Sequence, residues 1–458
     1  MNDQAEIAII GMGLAGIATA YYLSKQHDKR SIVLIDPRDP MSYTSAQSGD
    51  NFRDWWPSKT MTQFSRRSIE LMECLADETN NVFNMQKGGY ALASSKEDIT
   101  AMLSSLESTY KDQPGQIRRH EKSTSSAYEN AIDSHWRNPR SGVDLLSNPT
   151  LIKRVFPAFT KEIRHVLHIR NAGHISAQQM GAYMLEQIKL KGGRRIRGEV
   201  THIENNNGHD LTIRSASGDA ILNADILVNA SGPFIADVSA MQGVELPVTN
   251  VFHQKLAFED TLNAVPRNQP FAIDLDPITL NWTPEELDYL SNDASLAWLT
   301  KENPGGIHCR PEGNGNWIKL GWAYNQLASQ PKQNRELNED PRHDSVFPEI
   351  VIRAASRLNP GLKPYIQSLP TSRSHYGGYY TMTRENWPLI GPINQQESFV
   401  VGALSGFGAM SACAAGELCS QWIDRETLPD FAPALSPSRY DNSDIMNELQ
   451  FASNLGIL

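Results

Sequence analysis

The sequence has no basic run. Lysines and arginines never exceed the pair Arg-Arg, and 52 acids against 42 bases give a formal charge of −10. A nucleic-acid partner needs a basic face to neutralise phosphates, so none is expected. Cysteine is scarce: Cys74, Cys309, Cys413 and Cys419 form no C-x-x-C pair and match no zinc spacing. They read as small buried apolar residues of a protein kept in a reducing, cytoplasmic setting, with no metal site. An apolar run of the ~20 residues that a membrane span needs is also missing. The charge-free stretch "IAIIGMGLAGIATAYYL" (Ile7–Leu23) falls short of it, and "MNDQAE" before it carries two acids and no base, the wrong flank for a signal peptide. Internal repeats and low-complexity tracts are absent.

What is present is ordinary for a globular chain: 40% hydrophobic and 21% charged residues over 458 positions. That length supports two or three domain-sized units with a large core. "EIAII" reads as a buried parallel strand, "GMGLAG" as a tight turn, "IATAYYLSKQ" as a helix and "SIVLID" as a second strand, together a βαβ unit. A polar loop, "TSAQSGDNFR", leads to a helix from about Thr62. "HISAQQMGAYMLEQIKLKGG" reads as a helix ending at a glycine pair, and "RRIRGEVTHIENNNGHDLTIRSASGDAILNADILVNASGPF" as a strand meander. Aromatic-rich strands ("VFHQKLAFE", "NWIKLGWAY") are followed by a long polar loop, 325–345. "SFVVGALSGFGAMSACAAGELCSQWI" repeats the order strand, glycine turn, helix.

Gly11, Gly13 and Gly16 fall between strand and helix with the spacing of a dinucleotide-binding turn. Gly11 makes the turn, Gly13 lets a pyrophosphate approach the backbone beside Leu14 and Ala15, and Gly16 lets helix and strand pack. The helix N-terminus offers free N–H groups and a positive dipole end. Asp36, followed by Pro37 and Arg38, ends the second strand and is placed to accept from ribose hydroxyls. Two further glycine turns, "LVNASGPF" with Ala230, Ser231 and Gly232, and "VVGALSGFGAM", end distant apolar strands. A long cofactor gripped from several segments points to FAD.

In this order of segments, continued by "YYTMTRENWPLIGP" and "DFAPALSPSRY", the chain resembles the D-amino-acid oxidase superfamily of FAD-dependent oxidoreductases, in the branch of glycine oxidase and monomeric sarcosine oxidase. The resemblance implies an α/β (α+β) fold: a Rossmann-like FAD-binding domain from residues 1–90, 150–250 and 366–440, a β-rich antiparallel substrate domain from 91–149 and 251–365, and a C-terminal extension, 441–458. It makes Val200 an adenine contact and runs Ser45, Gln47, Ser48 and Gly49 along the flavin. It also points the helix starting at Gly406, Phe407, Gly408, Ala409 and Met410 at the flavin pyrimidine, where a helix N-terminus stabilises negative charge. Lys319 matches the lysine that promotes reaction with oxygen. Three positions depart from the family pattern. Gly378 stands where sarcosine oxidases hold a flavin-linking cysteine, so FAD is expected to bind non-covalently. Met410 replaces a carboxylate-binding lysine, and Ala323 replaces a histidine.

An arginine can anchor a substrate carboxylate, and by family position the resemblance makes Arg53 in "GDNFRDWW" the best-placed candidate, with Arg310 behind it. Tyr380 and other aromatics are candidates for an apolar cage, and His253, His308 and His375 are candidate bases. The expected activity is oxidation of a C–N bond in a small amine or amino-acid-like substrate, giving an imine and, with molecular oxygen as partner, hydrogen peroxide. The alternatives are a dehydrogenase that passes electrons to another acceptor and a flavin-binding subunit without turnover of its own. The sequence leaves substrate identity and oligomeric state open. Ile445, Met446, Leu449 and Phe451 give the C-terminal extension apolar residues for packing.

Overall fold

A computed structural model describes residues 3–26, 30–124, 128–130, 136–137, 140–206, 208–313, 315–325, 327–394 and 396–453, with side chains to residue 449. Among them two large sheets carry the architecture. The first centres on the parallel strands Asp3–Ile10, Ile32–Asp36 and Gly218–Asn229, in the register Ile7↔Ile32 and Ile7↔Ile226. Residues Ile7 to Ile10 are buried on both faces, as expected where helices cover both sides of a parallel sheet. The helix Leu14–Gln26 is buried from Leu14 to Ser24, Ala15 excepted, which accounts for the missing charges of Ile7–Leu23. It lies so close to the helix Gly408–Ile423 that a Cβ on Gly416 would sit 2.5 Å from the Ala18 backbone.

The expected meander holds for Glu199–Asn206, Gly208–Ser215 and Gly218–Asn229, which pair antiparallel. Arg194–Arg197 leaves it and pairs parallel with Ile32–Asp36. Gly198 separates the two roles, and a Cβ there would meet Ile213 at 2.5 Å.

The second sheet has nine strands, ordered Arg373–Thr383, Val248–Glu259, Trp317–Gly321, Ile307–Glu312, Phe271–Asp274, Tyr90–Ser94, His165–Ile169, Val143–Leu146 and Ile117–His120. It takes in His165–Ile169 and Arg373–Thr383, which the expected boundaries place in the cofactor part. The Val248–Glu259 strand crosses such a boundary itself and pairs with 373–383 from Val248↔Thr383 to Phe258↔Arg373. The two faces differ in chemistry. Leu256, Phe258, Cys309, Ile318 and Leu320 pack on the helix Phe347–Leu358. Residues of the opposite parity, His253, Lys255, Arg310 and Lys319, face the first sheet's loops.

Two serines set helix starts: the Ser58 side chain accepts from the Met61 N–H, and Ser176 from that of Gln179. The first part of the expected loop "TSAQSGDNFR" forms a 3-10 turn, Thr44–Gln47, and its end a short strand, Asn51–Arg53, paired with Ala172–His174. Cys309, Cys413 and Cys419 are buried, but Cys74 is exposed. It lies on the Lys59–Glu78 helix off the face that buries Met72, Leu75 and Ala76. In the terminal helix Ser443–Ser453, Leu449 is buried and Ile445 and Met446 pack on the main core. The Phe451 side chain lies outside the described residues. Among the described residues no helix is long and apolar enough to cross a membrane.

Candidate active site

A long cleft opens where the strands Asp3–Ile10, Gly218–Asn229 and Ser398–Gly402 end, the side of a doubly wound sheet that takes ligands. Gly11 has φ +111°, and a Cβ on it would lie 2.3 Å from the Ala230 carbonyl oxygen, so only glycine lets the two turns touch. Gly13 borders the cleft with Leu14 and Ala15. The Leu14 N–H donates to Ser45 Oγ at 3.1 Å, tying the helix N-terminus to the 44–50 segment. Gly16 does not reach the cleft. Its missing Cβ would stand 2.1 Å from the Gly11 carbonyl oxygen, so its role is packing. Asp36 accepts from the Met12 N–H at 2.8 Å and the Arg38 N–H at 2.9 Å, and burial raises its carboxyl above the usual range.

Pro37, Arg38, Val200, Ala230, Ser231 and Gly232 border the cleft. So do Ser45, Gln47, Ser48, Gly49 and Gly378. Arg38 lies over the Tyr43 ring at 4.2 Å and donates to Gln333, which brings the 325–345 loop onto the rim. Gly406, Gly408 and Ala409 also border the cleft, at the start of a helix without a side-chain cap. The turn before it holds Ala403 and Ser405 at φ 51° and 48°, strained backbone beside a ligand cleft. Phe407 and Met410 point away: Phe407 packs edge-on against Trp56 at 5.0 Å, and Met410 joins the core. Thr44 lines the cleft with its buried Oγ1 unpaired among the described residues, a polar atom left for a ligand.

The charged face of the nine-stranded sheet stands over the 47–50 loop. Arg310 and Lys319 are cross-strand neighbours that share Glu312, at 2.7 and 3.2 Å. Arg310 also donates to the Gly49 carbonyl at 3.0 Å. Lys319 does not border the cleft, and burial lowers its pKa. Lys255 does border it. Its ammonium donates to the Gln47 carbonyl at 3.1 Å and lies 5.8 Å from the centre of the Tyr380 ring, and burial brings it down to about 8. The sequence reading passed over Lys255, although it shares strand parity with His253. Tyr380 borders the cleft against Gly406, whose Cβ would meet the ring at 2.4 Å. Burial raises the Tyr380 hydroxyl to about 12, so it stays protonated.

His253 sits against Tyr380, 4.4 Å between ring centres, and burial pushes it down to about 3. A histidine so weakly basic does not take up a proton near neutrality. His308 and His375 are lowered by burial to about 4.

Arg53 is the outlier. It is 2% exposed, and among the described residues its guanidinium makes no hydrogen bond or ion pair, with Nε left unpaired. Its neighbours are the rings of Trp56 at 4.2 Å and Tyr90 at 5.9 Å. The adjacent Asp54 is taken by Arg66 at 3.3 Å. Burial lowers Arg53 to about 10. A buried charge without a protein partner is a penalty in a folded chain, and an anionic ligand removes it. Arg53 does not border the cleft, and its neighbour Trp56 packs on Phe407. Tyr90, whose ring lies 5.9 Å from Arg53, pairs with Phe271 in the strand next to that of Arg310, which brings Arg53 towards the charged face.

A family model described as FAD dependent oxidoreductase (DAO) matches residues 6–422. The human mitochondrial dimethylglycine dehydrogenase is 22% identical over 454 residues, covering 96% of this chain and 45% of that protein. The chain thus spans about half the length of the curated relatives it matches. Among solved structures, L-proline dehydrogenase from P. horikoshii superposes with a TM-score of 0.69 at 18% identity, over 96% of this chain and 99% of the other. Glycine oxidase from Geobacillus kaustophilus gives 0.68 at 17%, with 96% and 99% covered. At these identities the solved structures establish the fold.

Proposed function

The chain belongs to the DAO family of FAD-dependent oxidoreductases, and on that premise we propose that it oxidises the C–N bond of an amine or amino-acid-like substrate, giving an imine. The observation that carries this reading is the buried, unpaired Arg53 guanidinium, which calls for a carboxylate beside the cleft. FAD, bound non-covalently, supplies the acceptor for the hydrogen and two electrons of the carbon beside the amine nitrogen.

The chain's own residues bind, orient and exclude water. Arg53 anchors a carboxylate beside Trp56, which packs on Phe407, and Tyr380 walls the cleft. The Tyr380 hydroxyl, kept protonated, is available to a substrate as a hydrogen-bond donor. The N-terminus of the Gly408–Ile423 helix offers unpaired N–H groups where negative charge accumulates. His253 stays neutral and serves as a wall.

Oxygen as the final acceptor, with peroxide as product, is the first form of the proposal, with Lys319 or Lys255 as the cation that favours charge on oxygen. The second is a dehydrogenase. The Glu312 carboxylate on Lys319 favours it, and the human relative and the P. horikoshii structure are both named dehydrogenases. Stopped-flow reoxidation by air decides. Fast recovery with stoichiometric peroxide, slowed in Lys319→Met or Lys255→Met, supports the oxidase. A reduced protein that air leaves unchanged refutes it.

A further inference from the structure

The buried cations around this site outnumber the anions, and the excess is divided between two places. Lys255, Arg310 and Lys319 stand together on one sheet face, 7%, 3% and (side chain) 12% exposed. Two carboxylates serve all three. Glu312 is shared by Arg310 and Lys319, and Asp50 acts on Lys255 and Lys319 without an ion pair to either within 4 Å among the described residues. Among the described residues Lys255 has no carboxylate within that distance, and its hydrogen-bond acceptor there is the Gln47 carbonyl. One positive charge is therefore left uncompensated on this face. A second sits on Arg53, which has neither acceptor nor counter-ion among the described residues. Tyr90 links the two: its ring lies 5.9 Å from Arg53, and it pairs with Phe271 in the strand beside that of Arg310.

Buried, uncompensated charges this close to one another are strongly unfavourable unless a ligand brings the opposite charges. An amino acid with one carboxylate and an aliphatic side chain neutralises only one of them. We propose that the site is built for an amine carrying two anionic groups, one carboxylate on Arg53 and a second acidic group on the Lys255–Lys319–Arg310 face. This rests on the C–N oxidation proposed above and adds the substrate class. An oxidised flavin ring would be neutral and would not itself supply the second anion.

The test separates binding from turnover. The oxidised holoprotein is titrated with glutarate, with its monoamide and with butyrate, following the perturbation of the flavin spectrum. Glutarate is expected to bind at least about tenfold tighter than either singly charged probe. Lys255→Met is expected to bring the glutarate-to-butyrate ratio close to one, and Arg53→Met to weaken both. Equal binding of glutarate and butyrate by the unaltered protein overturns the proposal, whether or not any variant folds. So does a glutarate preference that Lys255→Met leaves intact. Anaerobic flavin reduction is then compared for aspartate, glutamate and their N-methyl derivatives against alanine and N-methylalanine. Reduction by the one-carboxylate amines alone refutes the two-anion site and leaves C–N oxidation standing. Tight glutarate binding with no reduction by any amine supports the charge assignment and refutes the oxidation.

Discussion

Replacing Arg53 with methionine separates stability from function. Methionine keeps an unbranched stem against Trp56 and removes the guanidinium. Burial lowers Arg53 from its usual 12.5 to about 10, which corresponds to ~3 kcal/mol against the charged form in the folded chain. Both values lie above neutrality, so the penalty is present in full at pH 7 and fades only as pH rises between about 10 and 12.5. The ring contact at 4.2 Å to Trp56 offsets roughly 1–2 kcal/mol of it. Arg53→Met is therefore expected to stabilise the ligand-free holoprotein by ~1–2 kcal/mol, a rise of a few degrees in melting temperature by scanning fluorimetry. The same change removes a buried partner for a carboxylate, a loss of ~2–5 kcal/mol or roughly 30- to several-thousand-fold in affinity. Flavin-spectral titration with carboxylates reads that loss. A lower melting temperature combined with unchanged carboxylate affinity would refute the anchor and make Arg53 a packing residue.

Three further outcomes follow from the geometry. Gly11→Ala places a Cβ 2.3 Å from the Ala230 oxygen at φ +111°, so it should destabilise by at least ~2 kcal/mol and yield protein depleted of flavin, read from the visible absorbance per chain. Lys255 is held down to about 8 from 10.5 by burial, so its charge disfavours the folded state below pH ~8 and that penalty lifts as pH rises towards 10.5. Anion binding that depends on it should weaken through the same window, and Lys255→Met should lose that pH step. One thiol of four, Cys74, should react with a thiol reagent in the native protein and all four after denaturation, and a Cys74→Ser chain should show no fast-reacting thiol.

The glycine turns that border the cleft were legible because their work is done by backbone. A turn that must pass beside Ala230, as at Gly11, leaves a glycine in the sequence, and so do the turns at Gly232, at φ +58°, and at Gly406 against Tyr380. Gly16, Phe407 and Met410 carry the same local signature but face inwards, and a motif does not say which of its residues touch the ligand. The substrate half was less legible because it depends on strand parity and cross-strand neighbours. Lys255 and Lys319 both read as lysines in apolar strands. Only the pairing Lys255↔Gly321 and Arg310↔Lys319 shows that Lys255 reaches the cleft while Lys319 turns to Glu312. Arg53 could be picked out by position, but its lack of a partner is a property of the folded surroundings. Cys74 was misread for a related reason: a helix buries one face, and the sequence alone did not say on which side residue 74 falls.

The most direct test of the account is anaerobic mixing of the yellow holoprotein with a panel of primary, secondary and cyclic amines and amino acids bearing one or two carboxylates. The account predicts that at least one of them bleaches the visible flavin band, that an equimolar imine or its hydrolysis product forms, and that Arg53→Met needs far more substrate for the same bleaching. A flavin that stays fully oxidised with every member of the panel would contradict C–N oxidation by this chain.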